Sequence, residues 1–318
     1  MQSTAPFPVA LSRCPSYARP ELDQAVARVL SAVELPNLRS VKVLLKPNLI
    51  SAKHGALPCT EAVFMLAAAR WLLEHGAQVS LGDSPAFGTA GMVLQTLGIA
   101  DQLTALGVEI RNFRQGRKVR LPGGCWAVLA EAALDCDLLL NLPKVKAHAQ
   151  ARLTLAVKNC FGCVIGTRKA WWHMRYGGAT GEDFFNQIVQ IPALLPPIVS
   201  LADGITAMHK SGPLDGEPYP LGLVAASVNP VALDAALHQT LGVAPERSPV
   251  LAACRRNQMP GAELNQLCFP LEQPDAFSAD GFLVPDQLNQ VRFNPFRFLI
   301  STARRLLIQR QGLKKQAS

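Results

Sequence analysis

No stretch of this 318-residue chain is apolar for long enough to cross a bilayer. The longest helical candidate, Glu61 to Leu73, is interrupted by Arg70 and falls short of the ~20 residues a spanning helix needs. The first residues lack a basic stretch followed by an apolar core and a cleavage site, so no secretory leader is expected. Eight cysteines (14, 59, 125, 136, 160, 163, 254, 268) are scattered rather than spaced as a disulfide framework, which points to free thiols in a reducing cytoplasm. Internal repeats and low-complexity tracts are also missing. Charge is scarcer than its sum suggests. The formal net charge is +8, but residues 292–318 hold seven Lys/Arg and no acid, leaving +1 for everything before them.

What remains is an apolar chain, 49% hydrophobic against 17% charged, long enough to bury a large core as one large or two small domains. Apolar residues recur at helical spacing from Glu21 to Val33, and Val9 to Leu11 precedes them as a candidate strand. Val41 to Leu45 reads as a strand running into Lys46-Pro47-Asn48, where proline fixes the exit. Thr60 and Glu61 open a helix to His75, closed by Gly76, and Gln78 to Leu81 is the next strand, ending in Gly82-Asp83-Ser84-Pro85. Strand, helix and strand at these lengths make a parallel crossover. Short helices and strands without a motif fill Gly88 to Leu121, and Glu182 to Leu195 is a further amphipathic helix. Pro197 to Ala202 is a strand delivering Asp203-Gly204, Gly222 to Ser227 another strand, and Asn229-Pro230 opens a helix to Leu241. The expectation is an α/β fold: a mostly parallel sheet with helices on both faces and an active edge at the strand C-termini. Residues 1–291 form that domain, 243–291 wrapping over the sheet, and 292–318 form a separate tail.

The densest chemistry lies between Asp135 and His173. Leu138-Leu139-Leu140 is a short buried strand, and the loop after Pro143 presents Lys144, Lys146 and His148. Lysines at i and i+2 on extended backbone point the same way, so two ammonium groups and an imidazole surround one mouth, where an anion is the natural guest. Ala151 to Val157 reads as a short helix or apolar turn, followed by Lys158-Asn159-Cys160-Phe161-Gly162-Cys163 and a strand-like Val164-Ile165-Gly166. Lys158 serves as a neutral nucleophile or a charged anchor, depending on its burial.

In open parallel sheets ligands bind beyond the carboxyl ends of the strands, which gathers Lys46, Asn48, Asp83 and Ser84 with Lys144, Lys146 and His148. Each loop also has a plain reading. Gly82 to Pro85 is equally a turn that caps a helix, and Lys46-Pro47-Asn48 a solvated turn. Asp203 and Asp215 either coordinate a metal or orient His148 or Lys158, or else make turn hydrogen bonds.

The pieces Val43 to Asn48, Gly82 to Pro85, Asn141 to His148, Ala156 to Asn159 with Gly162, His173, Asp203-Gly204, Gly212-Pro213 with Gly216, and Asp234 occur in order between residues 41 and about 242. In these the chain resembles the prokaryotic family known as domain of unknown function 362. Many of its members look like iron–sulfur proteins with a ferredoxin-type cysteine run. Here only Cys160-x2-Cys163 has that spacing, two ligands short of a cluster, so the pair is a dithiol, part of a shared metal site, or packing. A second similarity is to the N-terminal half of the nickel-pincer-nucleotide lactate racemases. It implies that Lys158 holds a nucleotide-derived cofactor and His173 ligates nickel.

Together these features suggest an enzyme binding a small phosphate- or carboxylate-bearing ligand. Lys46, Lys144 and Lys146 hold the anion, Asn48 and Asn159 orient it, His148 or His173 moves protons, and Lys158 does covalent or electrophilic work. The rival is a metal- or redox-handling protein using Cys160, Cys163, His148 and His173. In the tail, Phe293, Phe296, Phe298, Leu299, Ile300, Leu306 and Leu307 interleave with Arg292, Arg297, Arg304, Arg305 and Arg310, a basic amphipathic helix suited to a membrane surface or to packing on the domain. No nucleic-acid-binding module is present.

Overall fold

The computed structural model describes residues 5–51, 55–86, 88–166, 172 and 181–289. The tail at 292–318 and His173 lie outside these residues.

The sheet is mixed but parallel through its middle. It contains β1 (Phe7–Arg13), β2 (Lys42–Pro47), β3 (Gln78–Asp83), β4 (Glu109–Asn112), β7 (Leu138–Leu142), β8 (Lys144–His148), β9 (Arg152–Thr154), β10 (Ile198–His209), β11 (Glu217–Ser227) and β12 (Leu267–Cys268). β5 (Gly116–Arg120) and β6 (Trp126–Ala130) form a separate hairpin. The main order is β12-β1-β11-β10-β7-β2-β3-β4. β10, β7, β2, β3 and β4 run parallel, whereas β11 is antiparallel to both β10 and β1.

Alternation along the central strands fills two cores. Val43 and Leu45 of β2, with Leu138 and Leu140 of β7, face one; Leu44 and Leu139 face the other. The first core is covered by α1 (Glu21–Ser31) and α2 (Ala62–Glu74). α1 directs Leu22, Val26, Val29 and Leu30 inward and carries Glu21 and Asp23 in its first turn, where the helix dipole favours them. α2 is apolar nearly all round and correspondingly buried. The second core is covered by α6 (Ala156–Asn159), α7 (Glu182–Ile188), α8 (Pro230–Thr240) and α9 (Pro249–Arg256). α8 starts where expected: Asn229 Oδ1 accepts from the N–H of Val231 and Ala232, and Pro230 occupies the first position. α3 (Ala90–Thr96), α4 (Ala100–Ala105) and α5 (Glu131–Leu134) complete the helices used below.

The differences from the sequence reading concentrate around Pro143. The expected loop is a strand: beyond Pro143 the chain continues as β8, which pairs with the far half of β10 (Asp203↔Lys144, Met208↔Lys146). Ala151 to Val157 is not one helix or turn. It is β9, antiparallel to β8, followed by the single-turn α6. Arg152, with φ 63°, places its guanidinium on the carbonyls of Arg247, Pro285 and Asp286 and so fastens the wrapping segment to β9. The strand reaching Ala202 does not stop at Asp203 but runs to His209, so Asp203 lies inside β10. Val164 contributes only one bridge, to Leu129. The helix from Glu182 ends at Ile188, and a single 3-10 turn at Pro192–Leu194 follows.

Candidate functional site

Lys46 is the last but one residue of β2, and its ammonium is buried among partners that the sequence scatters widely. Nζ donates to Asp83 Oδ1 at 2.8 Å, to Pro47 O at 2.7 Å and to Asn159 Oδ1 at 3.3 Å. Both members of the ion pair are almost sealed, at 1% and 4% exposure. Asp83 also accepts the N–H of Leu49 and of Ser84. Gly162 packs directly against the pair, because any Cβ there would overlap Lys46 Nζ and Asp83 Oδ1.

Asn159, in the one turn of α6, is the hub. Its Nδ2 donates to Lys46 O and to Asn141 Oδ1, while its Oδ1 accepts from Lys46 and from Asn48 Nδ2 at 3.1 Å. Asn48 Oδ1 in turn accepts from Lys146 Nζ at 3.1 Å. A continuous polar path therefore joins Asp83, Lys46, Asn159, Asn48 and Lys146 across three strands. α6 is held by Asp234 of α8, whose two oxygens accept the N–H groups of Ala156 and Val157 at 2.7 and 3.3 Å. Burial pushes the Asp234 carboxyl up to about 8 against the pull of those two N–H groups.

Because β8 is extended, Lys144, Lys146 and His148 share one face, as the i, i+2, i+4 spacing predicts. Their environments differ. Lys144 Nζ is paired with Asp203 Oδ2 at 2.8 Å and donates to the Tyr17 hydroxyl at 3.0 Å; Tyr17 donates to Asp203 Oδ1 at 2.7 Å. Burial, then the Asp203 charge, holds the Tyr17 phenol well above its ordinary value. Among the described residues Lys146 has only neutral acceptors: Asn48 Oδ1, Pro58 O at 2.6 Å and Pro213 O at 3.5 Å. Burial pushes its amine down to about 7; the Lys158 and Lys144 charges add to this, and Cys59 and Asp83 oppose it. His148 Nδ1 accepts the N–H of Gln150 at 3.0 Å and of Ala151 at 3.2 Å, and its Nε2 lies 3.2 Å from Lys158 Nζ. Burial pushes the half-buried Lys158 down to about 8.

Four lysines thus divide into two kinds. Lys46 and Lys144, expected to hold a ligand anion, are paired with carboxylates of the protein in sealed ion pairs. Lys146 and Lys158 hydrogen-bond no carboxylate among the described residues. Asp203 is committed to Lys144, Tyr17 and the N–H of Glu61, so it orients neither His148 nor Lys158. Asp215 is exposed on its loop, outside the buried network. Ser84 is half-buried and gives its N–H to Asp83. Tyr17, Asn141 and Asp234 belong to the arrangement without having been candidates for it.

Cys160 and Cys163 are fully buried in the 3-10 turn after α6. Cys160 Sγ donates to Ala156 O, and burial, followed by Cys163, raises its thiol well above the ordinary range. A pair held in this way does not fit the ligands of a cluster, and among the described residues no group of three or more His, Cys, Asp or Glu converges as a metal site. The reading of His173 as a nickel ligand falls outside the described residues. A separate cleft of ≈ 690 Å³ runs from Lys42, Gln78 and Glu109, the first residues of β2, β3 and β4, along β4 to Gln115, and none of these four lysines lines it.

A family model described as Domain of unknown function (DUF362) matches residues 43–239. A relative from Synechocystis sp., described as a thylakoid-associated protein, is 37% identical over 270 residues, 84% of this chain and 84% of its own. Among solved structures, the lactate racemase apoprotein from Thermoanaerobacterium thermosaccharolyticum aligns at 14% identity with TM-score 0.45, over 73% of this chain and 57% of that one. A Thermotoga maritima protein aligns at 10% identity with TM-score 0.43, over 80% and 61%. The chain spans less than two-thirds of either solved structure.

Proposed function

The chain belongs to the domain of unknown function 362 family, and from that premise we propose that it is an enzyme binding a small phosphate- or carboxylate-bearing substrate or cofactor at the C-terminal edge of its parallel sheet. The observation that carries this reading is the split among the lysines. Burying an ammonium without a carboxylate is costly, and Lys146 bears that cost, with the Lys158 amine near enough to add to it, while Lys46 and Lys144 are each paired with a carboxylate. An anion resting on Lys146 would supply the missing countercharge. In this account Lys46–Asp83 and Lys144–Asp203–Tyr17 are the frame, Asn48 orients Lys146, and His148 is the acid–base group beside Lys158.

The test is thermal unfolding with added pyruvate or inorganic phosphate. Wild-type protein is expected to gain melting temperature with either anion, and Lys146→Met to lose that gain while remaining folded. No shift with either anion, or an unchanged shift in Lys146→Met, overturns the reading.

The tail supports a proposal about place. Among the described residues no helix is long and apolar enough to cross a membrane, and the Synechocystis relative carries the description thylakoid-associated. Seven Lys/Arg without an acid, interleaved with Phe and Leu over 292–318, suit peripheral contact with an anionic bilayer. Vesicles of anionic phospholipid should sediment the full chain and not one lacking 292–318; equal sedimentation contradicts it.

A further inference from the structure

We propose that Lys158 condenses with the carbonyl group of an anionic carbonyl compound, such as a 2-oxo acid, forming an imine while the compound's anionic group rests on Lys146. The inference depends on the anion-binding reading above and names its substrate class.

Hydrogen-bond polarity at His148 leads to it. Nδ1 accepts two backbone N–H groups, from Gln150 and Ala151, so it carries no proton, and the neutral ring bears its proton on Nε2. That Nε2–H faces Lys158 Nζ at 3.2 Å. An ammonium there would set donor against donor. The contact is satisfied when Lys158 is a free amine accepting from Nε2–H, with a nitrogen lone pair held in place. Burial acts in the same direction.

A second feature marks where a ligand oxygen would sit. Thr154 is 3% exposed, and its buried Oγ1 has no hydrogen-bond partner among the described residues. In the β8/β9 register Thr154 lies directly opposite Lys146, so both project from the same face, while Leu153 and Ala147 project into the core on the other. A buried hydroxyl left unpaired is destabilising, and a ligand oxygen held by Lys146 would remove that cost.

The step balances without oxidant or reductant. The Nζ lone pair forms the N–C bond as the carbonyl π electrons move onto oxygen, and the Nε2–H of His148 passes its hydrogen bond to that oxygen. Both Nζ protons end on the oxygen, the C–O bond breaks, and water leaves behind a neutral imine.

The experiment treats the full chain with pyruvate and sodium borohydride at pH 8 and maps the modified lysines by peptide mass spectrometry, with acetone as the uncharged carbonyl and thermal unfolding with pyruvate in parallel. The reduced adduct is expected on Lys158 well ahead of the exposed Lys210. It should fall about tenfold or more in Lys146→Met and with acetone, the loss of one charge-assisted contact. Thr154→Val should melt higher than wild type without ligand yet take up less pyruvate. Labelling of Lys158 no faster than Lys210 overturns the imine; if pyruvate still raises the melting temperature, the anion reading survives alone. Failure of both measurements removes both.

Discussion

His148 and Lys158, ten residues apart in sequence, meet at 3.2 Å through Nε2 and Nζ, and the imidazole's other nitrogen is already taken by two backbone N–H groups. With Nδ1 accepting, the neutral ring carries its proton on Nε2, facing Nζ. Burial brings the Lys158 and Lys146 amines down to about 8 and about 7, which makes both sensitive to pH near neutrality.

The first prediction concerns stability against pH. Lys146 is protonated in the unfolded chain up to its ordinary value of 10.5, but in the folded protein it loses its proton near 7. Between those limits the unfolded chain binds the extra proton, so stability rises with pH, and below about 7 the cost of burying the charged amine is fully present. Urea unfolding at several pH values should show this slope in wild type and a flatter one in Lys146→Met. Pyruvate affinity should have the opposite sign, falling as pH passes through about 7, because the anion needs Lys146 in its ammonium form.

The second concerns the frame. If Lys144 and Asp203 are scaffold rather than ligand anchors, Lys144→Met or Asp203→Ala alone should cost about 3–5 kcal/mol by stranding a buried charge. Lys144→Met combined with Asp203→Leu should cost much less than the sum of the two single changes. Additive costs in denaturant unfolding would mean that the two do not act as a pair.

Third, Gly162→Ala should cost about 1–3 kcal/mol, since the new Cβ has to displace the Lys46–Asp83 pair. Chemical unfolding measures it, and a wild-type midpoint would show that the turn yields freely.

The fourth follows from Asp234. Removing its carboxyl leaves the N–H groups of Ala156 and Val157 unpaired under the turn that carries Lys158 and Asn159. Asp234→Ala should lose about 2 kcal/mol of stability and also weaken pyruvate binding, whereas an effect on stability alone would separate α6 from the site.

Much of this architecture is legible in the sequence, for identifiable reasons. The i, i+2, i+4 placement of Lys144, Lys146 and His148 follows from backbone geometry, and α1, α2 and α8 announce themselves through apolar period and caps. Pro143 misleads because proline ordinarily ends a strand; here it ends the pairing of β7 with β2 while the chain runs on as β8 along β10. Pairing across long separations is the larger gap. Nothing local assigns Asp203 to Lys144 or Asp83 to Lys46, so no local pattern distinguishes the two neutralised lysines from the two that are not. Tyr17 sits in a polar, proline-containing N-terminal stretch without periodicity, and only the fold carries it to Asp203.

Titration of the lysine side-chain amines by ¹⁵N NMR, with signals assigned through Lys146→Arg and Lys158→Arg, tests the division among the lysines most directly. Lys146 and Lys158 should titrate near 7 and 8, and the Lys146 amine should move upward when pyruvate is added. If both stay protonated through pH 10 and ignore pyruvate, the two amines are not the uncompensated charges on which the site depends.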